Sequence, residues 1–381
     1  LPMLLYVHVP FCVSKCRYCA FASEVMSMDA LEDWDAAFSL EAAHYGRLLN
    51  KPAVETVYIG GGTPSLLPAW AFERLVKNLR RNFTIPGDAE FTMEANPDSA
   101  TDMDLMRLWR SSGVNRVSLG VQSLDEAMLR VLGRPHGVAD VHTAVQRLRA
   151  AGFANLSVDL IWGLPGQRLK NWMDTVKAAV RLGPEHISAY GLTLEPGTPL
   201  SQIVEEGTLA LPNEDEAAKM YLKGGDFLEE EGYLHYEISN FARMGFASKH
   251  NQGYWEGKDY LGLGPSAVST LSGRRWENPK DVARYTALSR KKAWGEGGQE
   301  LTPEVRAREL LMLALRTSKG MRLAEYKRLT GRDLVAAEGK LLGALRQKDL
   351  IRIKDGNLRL TRQGMLVSNL IIGRFLFPDE R

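Results

Sequence analysis

The chain has few cysteines, no long apolar run and almost no excess of charge, and each shortage removes a class of protein. Only three cysteines occur in 381 residues, an odd number and too few for a disulfide framework. No stretch approaches the roughly 18 consecutive apolar residues of a membrane span, and the first residues lack the basic and apolar segments of a secretory signal. Lys and Arg number 48 against 46 Asp and Glu, a formal charge of +2, so the balance makes no demand for nucleic acid. The expected compartment is the cytoplasm, where thiols stay reduced. With 45% apolar residues, the composition is that of a soluble globular protein. The length fits two or three domains of about 100–200 residues, or one large α/β domain with an appendage.

All three cysteines fall in one short stretch, at Cys12, Cys16 and Cys19, a C-x3-C-x2-C spacing. The apolar run Leu4–Val9 before them reads as a strand that Pro10 ends, which puts the cysteines on the following loop. Cysteines so close in sequence rarely meet the geometry of a disulfide. Structural zinc asks for four protein ligands, and no further His or Cys follows at a zinc-finger spacing. A 4Fe-4S cluster held by three thiolates leaves one iron open to a small ligand. The plain alternative is a loop of free, reduced cysteines.

Beyond this loop, short β-type runs alternate with amphipathic stretches, the pattern of a parallel sheet covered by helices. The predicted strands are Leu4–Val9, Thr56–Ile59, Glu90–Glu94, Arg116–Val121, Ser157–Ile161 and His186–Tyr190. Helices are predicted near Asp29–Leu49, Ala69–Asn82, Thr101–Ser112, Asp125–Leu132, Val138–Ala151 and Leu169–Leu182. Six βα units are too few for a closed eight-stranded barrel, so the expected α/β fold is a partial (βα)6 barrel. Function in such barrels gathers at the C-terminal ends of the strands. The unusual residues lie there: Gly60-Gly61-Gly62-Thr63-Pro64, Glu94-Ala95-Asn96-Pro97, Gly120-Val121-Gln122-Ser123, Asp159 with Gly163-Leu164-Pro165-Gly166, and Tyr190 through Glu195. Singly, each is an ordinary turn or exposed loop-end polar group; their placement at successive strand ends beside the cysteine loop argues for one shared site.

After residue 200 the pattern changes to a small α+β region. A helix capped by Asn213 runs towards Glu231, then a strand over Tyr233–Ile238 and a loop over Ser239–Gly264 that contains His250-Asn251-Gln252-Gly253-Tyr254-Trp255. Imidazole beside aromatic rings suits a flat ligand such as haem; the same residues suit simple packing of the loop on the barrel. From Thr302 the chain reads as helices over Glu304–Thr317, Leu323–Leu329 and Leu334–Lys348, followed by a hairpin at Asp355-Gly356. That outline is winged-helix-like, and near-neutral charge weighs against DNA as its partner. The expected division is 1–200, 201–300 and 301–381.

The cysteine spacing, GGGTP and the strand-end residues resemble the radical S-adenosylmethionine (SAM) superfamily, in which the open iron of a 4Fe-4S cluster binds SAM and reductive cleavage yields a 5′-deoxyadenosyl radical. The resemblance implies that Cys12, Cys16 and Cys19 hold the cluster. It also implies that Tyr6 and Tyr18 line the first SAM, that Gly61, Gly62 and Thr63 meet its amino group, and that Glu94 holds it. Gln122, Arg134 and Asp159 match positions that contact a second SAM in the anaerobic coproporphyrinogen III oxidases. His-Asn-x-x-Tyr-Trp and Leu261-Gly262-Leu263-Gly264-Pro265-Ser266-Ala267 resemble the radical SAM haem chaperones, the HemW group, which makes His250 the haem-contact candidate with Tyr254 and Trp255 shaping the surface. The oxidases carry a fourth cysteine where this chain has Phe21, and a longer N-terminal extension. The resemblance therefore favours a chaperone that carries haem as cargo to respiratory haem enzymes, without nucleic acid and with membrane association only through the acceptor. The alternative is a radical SAM enzyme, either a coproporphyrinogen III oxidase or an aromatic-substrate methyltransferase.

Overall fold

The computed structural model describes residues 2–376; the outermost ends of the expected division, residue 1 and residues 377–381, lie outside the described residues. β1 (Met3–Val9) is followed by α1 (Met28–Leu48), β2 (Val54–Gly61), α2 (Ala69–Asn82), β3 (Glu90–Ala95), α3 (Met103–Ser111), β4 (Arg116–Gln122), α4 (Glu126–Leu132), α5 (Val138–Ala150), β5 (Leu156–Trp162), α6 (Leu169–Arg181) and β6 (His186–Gly191). All six predicted strands are present and pair in parallel, in chain order. Side chains alternate across each strand. One set, with Val7, Val57, Ile59, Phe91, Met93, Val117, Leu119, Val158 and Ile187, is buried in the main core with Trp34, Phe38, Phe72, Trp109 and Trp172 from the helices. Each such side chain stabilises the fold by roughly 1.5–3 kcal/mol on full burial. The other set faces inward.

The chain continues through α7 (Pro199–Glu205) and α8 (Glu214–Glu230) to β7 (Leu234–Glu237) and β8 (Asn240–Ala242). Then come α9 (Lys249–Trp255), β9 (Tyr260–Leu263), β10 (Val268–Leu271), β11 (Arg274–Glu277), α10 (Val282–Lys291) and β12 (Gln299–Glu300). Residues after 200 extend the barrel sheet at both edges, giving the order β12-β11-β10-β9-β1-β2-β3-β4-β5-β6-β8-β7. Two expectations need correction. β9 is a seventh parallel strand, paired with β1, inside the stretch read as loop. Its Gly262 reads as a loop signal, but a Cβ there would stand 2.3 Å from the Val268 carbonyl oxygen, so the glycine serves close packing within the sheet. His250 and Trp255 lie on the short helix α9 rather than on a loop; Ser248 caps it by accepting from Asn251 N–H.

The C-terminal unit comprises α11 (Pro303–Ala314), β13 (Met321–Arg322), α12 (Leu323–Thr330), α13 (Leu334–Ala337), α14 (Gly339–Gln347), β14 (Ile351–Lys354), β15 (Asn357–Leu360), α15 (Arg362–Leu366) and α16 (Ser368–Leu376). The hairpin turns at Asp355-Gly356, and β13 joins it in a sheet of order β13-β15-β14, the winged-helix arrangement. The single predicted helix Leu334–Lys348 is broken at Glu338, ahead of the poor helix former Gly339. This unit has its own core, centred on Leu311, Leu315, Leu342, Leu358 and Ile371. It packs on the barrel through Tyr221 and Trp162, and Arg362 pairs with Asp226 and Glu229 of α8.

Candidate functional site

The inward set of side chains is polar: Tyr6 and His8 on β1, Thr56 and Tyr58 on β2, Glu90, Thr92 and Glu94 on β3, Arg116 and Ser118 on β4, Ser157 and Asp159 on β5, and His186, Ser188 and Tyr190 on β6. At the C-terminal ends of the strands they open into a cavity of about 520 Å³ whose wall includes Cys12, Cys16, Cys19, Tyr18, Gly61, Gly62, Thr63, Glu94, Gln122, Arg134 and Asp159. Eleven of the fifteen residues expected from the sequence thus share one space.

The cysteine stretch is anchored at its ends. Phe11–Cys12 pairs with Glu24–Val25 in a two-residue parallel ladder, so Cys12 belongs to a short strand and only Cys16 and Cys19 to the open loop. Thr63 Oγ1 donates to Cys12 Sγ at 3.6 Å, and Asn96 Nδ2 donates to Thr63 Oγ1 at 3.0 Å. Arg134 follows the left-handed Gly133 that ends α4. Its side chain turns inward, donating through Nη1 to Cys16 Sγ at 3.4 Å and through Nη2 to Asn96 Oδ1 at 2.7 Å and to the Gly120 carbonyl at 3.0 Å. Arg134, matched by resemblance to a second-SAM contact, is thus placed against the cysteine loop.

The glycine turn is built around the protein itself. Gly61 N–H donates to Glu94 Oε2 at 3.0 Å, Gly62 N–H to the Val9 carbonyl and Thr63 N–H to the Phe11 carbonyl. A Cβ on Gly62 would lie 2.5 Å from the Phe11 oxygen. With all three N–H groups committed, what the turn offers a ligand is carbonyl oxygen, an acceptor suited to an ammonium.

Glu94 Oε1 accepts from Tyr58 Oη at 2.7 Å. Burial raises its pKa to about 7; the Tyr58 hydroxyl opposes the rise and the nearby Asp159 adds to it. Asp159 accepts from Ser118 Oγ at 3.1 and 3.0 Å and from Ser157 Oγ at 3.4 Å, and burial pushes its carboxyl up against those hydroxyls. Gln122 has φ +63°, left-handed for a residue with a side chain, where the β4–β5 register shifts. Such strained backbone concentrates at binding sites. Phe21 stands on the cavity rim, 68% exposed.

Four expected residues lie elsewhere. Tyr6 sits one layer below the cavity, its Oη 3.1 Å from His8 Nδ1 and its ring stacked on Tyr58. His250 is 1% exposed at the opposite end of the barrel. Its Nδ1 is 2.7 Å from Thr56 Oγ1 and its ring stacks on Tyr58 with centroids 5.0 Å apart; Nε2 is buried and has no hydrogen-bond partner among the described residues. Burial lowers its pKa to about 3, with the Arg116 charge adding to the effect. Glu90 fixes the helix from beneath, accepting from Lys249 N–H at 2.9 Å, His250 N–H at 3.0 Å and Ser248 Oγ at 3.4 Å. Tyr254 packs edge-on against His250 and Tyr260. Trp255 borders a separate groove of about 330 Å³ between α9 and the C-terminal unit, shared with Tyr236, Leu310, Lys319 and Met321.

Sequence reasoning missed Tyr58, Ser118 and the 2% exposed Arg116. They lie in mid-strand, and the signal that finds them is period-two alternation: each is two positions from a residue already singled out, or two from that neighbour.

Among the described residues no three His, Cys, Asp or Glu side chains close on one point as they would around a single metal ion. A four-iron cluster asks for something different, each thiolate on its own iron at a separate corner. Three thiols on one cavity wall, two of them already receiving hydrogen bonds from side chains, fit that donor set.

A family model described as the Radical SAM superfamily matches residues 6–179, and one described as the HemN C-terminal domain matches residues 301–367. The chain is 35% identical over 373 residues to the heme chaperone HemW of Bacillus subtilis (97% of this chain, 98% of that protein). To the heme chaperone HemW of Lactococcus lactis it is 34% identical over 379 residues (99% and 98%). Its fold is similar to that of the solved coproporphyrinogen III oxidase HemN from Escherichia coli, with TM-score 0.84 and 24% identity over 100% of this chain and 91% of that one.

Proposed function

Because the chain belongs to the family of the heme chaperone HemW, within the radical SAM superfamily, we propose that it binds haem as cargo and delivers it to haem-requiring respiratory enzymes, with a 4Fe-4S cluster and SAM as resident cofactors. Cys12, Cys16 and Cys19 would hold the cluster, which when bound supplies one-electron reducing power at an iron with an open coordination position. Glu94, Tyr18, Gly61, Gly62, Thr63, Gln122 and Asp159 are the proposed SAM contacts. A buried carboxyl near neutrality is ready to ionise against the SAM ammonium, and the hydroxyls around Asp159 keep it aimed at the cavity. The observation that carries the reading is the meeting of thiol loop, Glu94 and Asp159 in one cavity rimmed by Phe21, where the oxidases are expected to carry a fourth cysteine.

His250, Tyr254 and Trp255 enter this reading as a unit that opens. In the closed arrangement His250 packs on Tyr58, and its unpartnered Nε2 reaches iron only when α9 leaves the barrel. Among the described residues no helix is long and apolar enough to cross a membrane; we propose a cytoplasmic location with membrane contact only through the acceptor.

The test is anaerobic reconstitution, haem titration, and transfer to a haem-depleted respiratory enzyme. Saturable haem binding and recovery of acceptor activity are expected; formation of vinyl-bearing porphyrinogen from coproporphyrinogen III would replace the chaperone reading with an oxidase. Titration of His250→Ala decides the ligand: unchanged affinity and Soret position would remove His250 from the haem site.

A further inference from the structure

Cys12 and Cys16 are joined by an unbroken arc of hydrogen bonds. It runs from Cys12 Sγ through Thr63 Oγ1, Asn96 Nδ2 and Oδ1, and Arg134 Nη2 and Nη1 to Cys16 Sγ. Each member comes from a different place in the fold: Thr63 follows β2, Asn96 follows β3, and Arg134 follows α4. Asn96 is the centre, using its amide N–H towards one cysteine and its amide oxygen towards the other. Both terminal nitrogens of Arg134 are committed, Nη2 also to the Gly120 carbonyl, and among the described residues Nε has no hydrogen-bond partner. The guanidinium, on the wall of the cavity, thus reaches the Cys16 sulfur. Cys19 differs from the other two, since it receives a backbone hydrogen bond from Phe21 and, among the described residues, no side-chain donor.

We propose that this arc sets the reduction potential of the cluster, with Arg134 as the main contributor and Asn96 as the residue that positions it. The inference rests on the reading that the three thiolates hold a 4Fe-4S cluster. One-electron reduction adds a negative charge that is shared with the cysteine sulfurs, and hydrogen bonds to those sulfurs are a known means of tuning such a potential. A charge-assisted bond from a largely enclosed guanidinium favours the more negative state. The arc therefore raises the potential and makes the cluster easier to reduce. It also holds Cys12 and Cys16 in place before any iron arrives, as supporting hydrogen bonds do for ligands at other metal sites.

The experiment is a potentiometric titration of the reconstituted full-length chain without SAM, using dithionite as the one-electron donor and following the reduced cluster by electron paramagnetic resonance. Iron and sulfide are measured first. Arg134→Met is expected to lower the constant for reduction about tenfold, a shift of about 59 mV to more negative potential for one electron. Arg134→Lys should fall between this variant and the parent, and Asn96→Ala, which keeps the guanidinium but releases it, should also shift the potential downward. A fully loaded Arg134→Met with the parent's potential would overturn the proposal and return Arg134 to SAM binding. If that variant fails to load, Asn96→Ala and Thr63→Val decide by the same measurement. A parent chain that takes up no iron and sulfide would overturn the cluster reading itself, a failure visible before any titration.

Discussion

At the C-terminal ends of the strands Glu94, Gln122 and Asp159 face a cavity of about 520 Å³. At the other end Thr56 hydrogen-bonds His250 at 2.7 Å, and His186 hydrogen-bonds Ser157 and Tyr236, each at 2.8 Å. The same inward-facing alternation supplies Thr56, Ser157 and His186 below and Glu94 and Asp159 above. What distinguishes them is α9, which closes the lower end like a stopper held by Glu90, while the upper end is bordered by the cysteine loop, Arg134 and the segment after β6. Polar burial thus serves two purposes in one barrel: below, most groups are paired with one another, although His250 Nε2 has no partner among the described residues, and above they are held ready for something not of the chain.

The sharpest way to break this contrast is to remove a thiol. Cys16→Ser is expected to bring cluster iron and sulfide to background after reconstitution while the thermal midpoint stays within a few degrees, because Cys16 is outside the core. A large loss of stability would make the loop structural. Next in size is Gly62→Ala, whose Cβ would meet the Phe11 backbone at 2.5 Å, compared with Gly253→Ala below, whose Cβ would meet the Leu4 methyls at 2.6 Å. Backbone cannot step aside as a side-chain end can. Urea unfolding should give a loss of roughly 2–3 kcal/mol for the first and under about 1 kcal/mol for the second; equal losses would erase the distinction.

Glu90→Gln tests the stopper alone. It weakens three contacts to the start of α9 and should cost roughly 1–3 kcal/mol by urea midpoint, with cluster content unchanged. The smallest effects are in pH dependence, and the two ends have opposite signs. Glu94 holds a proton in the folded chain up to about pH 7 that the unfolded chain loses near 4.5, so its contribution is complete below 4.5 and is lost as pH rises through 7. His250 stays neutral down to about pH 3, whereas the unfolded side chain protonates at 6.5. Its contribution is complete above 6.5 and is lost as pH falls towards 3. Urea unfolding between pH 4 and 8 should show Glu94→Gln flattening the upper limb and His250→Gln the lower one. Glu41 and Glu237, raised by burial to about 7, will retain part of the upper limb. A variant that left its own limb unchanged would show that its group is not enclosed as described.

The upper site was largely legible because its residues follow strands directly, where a glycine or carboxylate breaks an apolar run and shows itself. Tyr58 and Arg116 were hidden by the opposite circumstance: inside a strand a polar residue between two apolar ones looks like ordinary alternation, and only six strands arranged together reveal a polar interior. His250 was visible both as a motif and as a residue that could pack on the barrel, but the partners that enclose it, Thr56 and Tyr58, are distant in sequence and were not legible. Arg134 was noticed, yet its target depends on the left-handed turn at Gly133 and on the Gly120 carbonyl, which together direct the guanidinium to sulfur.

The pairing of β1 with β9 bears on the order of assembly. β1 leads straight into the cysteine loop, and Leu4 lies beside Thr56 on one flank and Tyr260 on the other. During synthesis the first flank is filled early, but the second waits until most of the chain has left the ribosome. The loop is therefore expected to settle late, after the helices of the barrel have packed. A chain ending before Tyr260 should react with a thiol probe at all three cysteines faster than the full-length protein; equal rates would mean that β2 alone orders the loop. The segment that carries the proposed cluster ligands is thus made well before the strand that completes its support, and is among the last to be fixed.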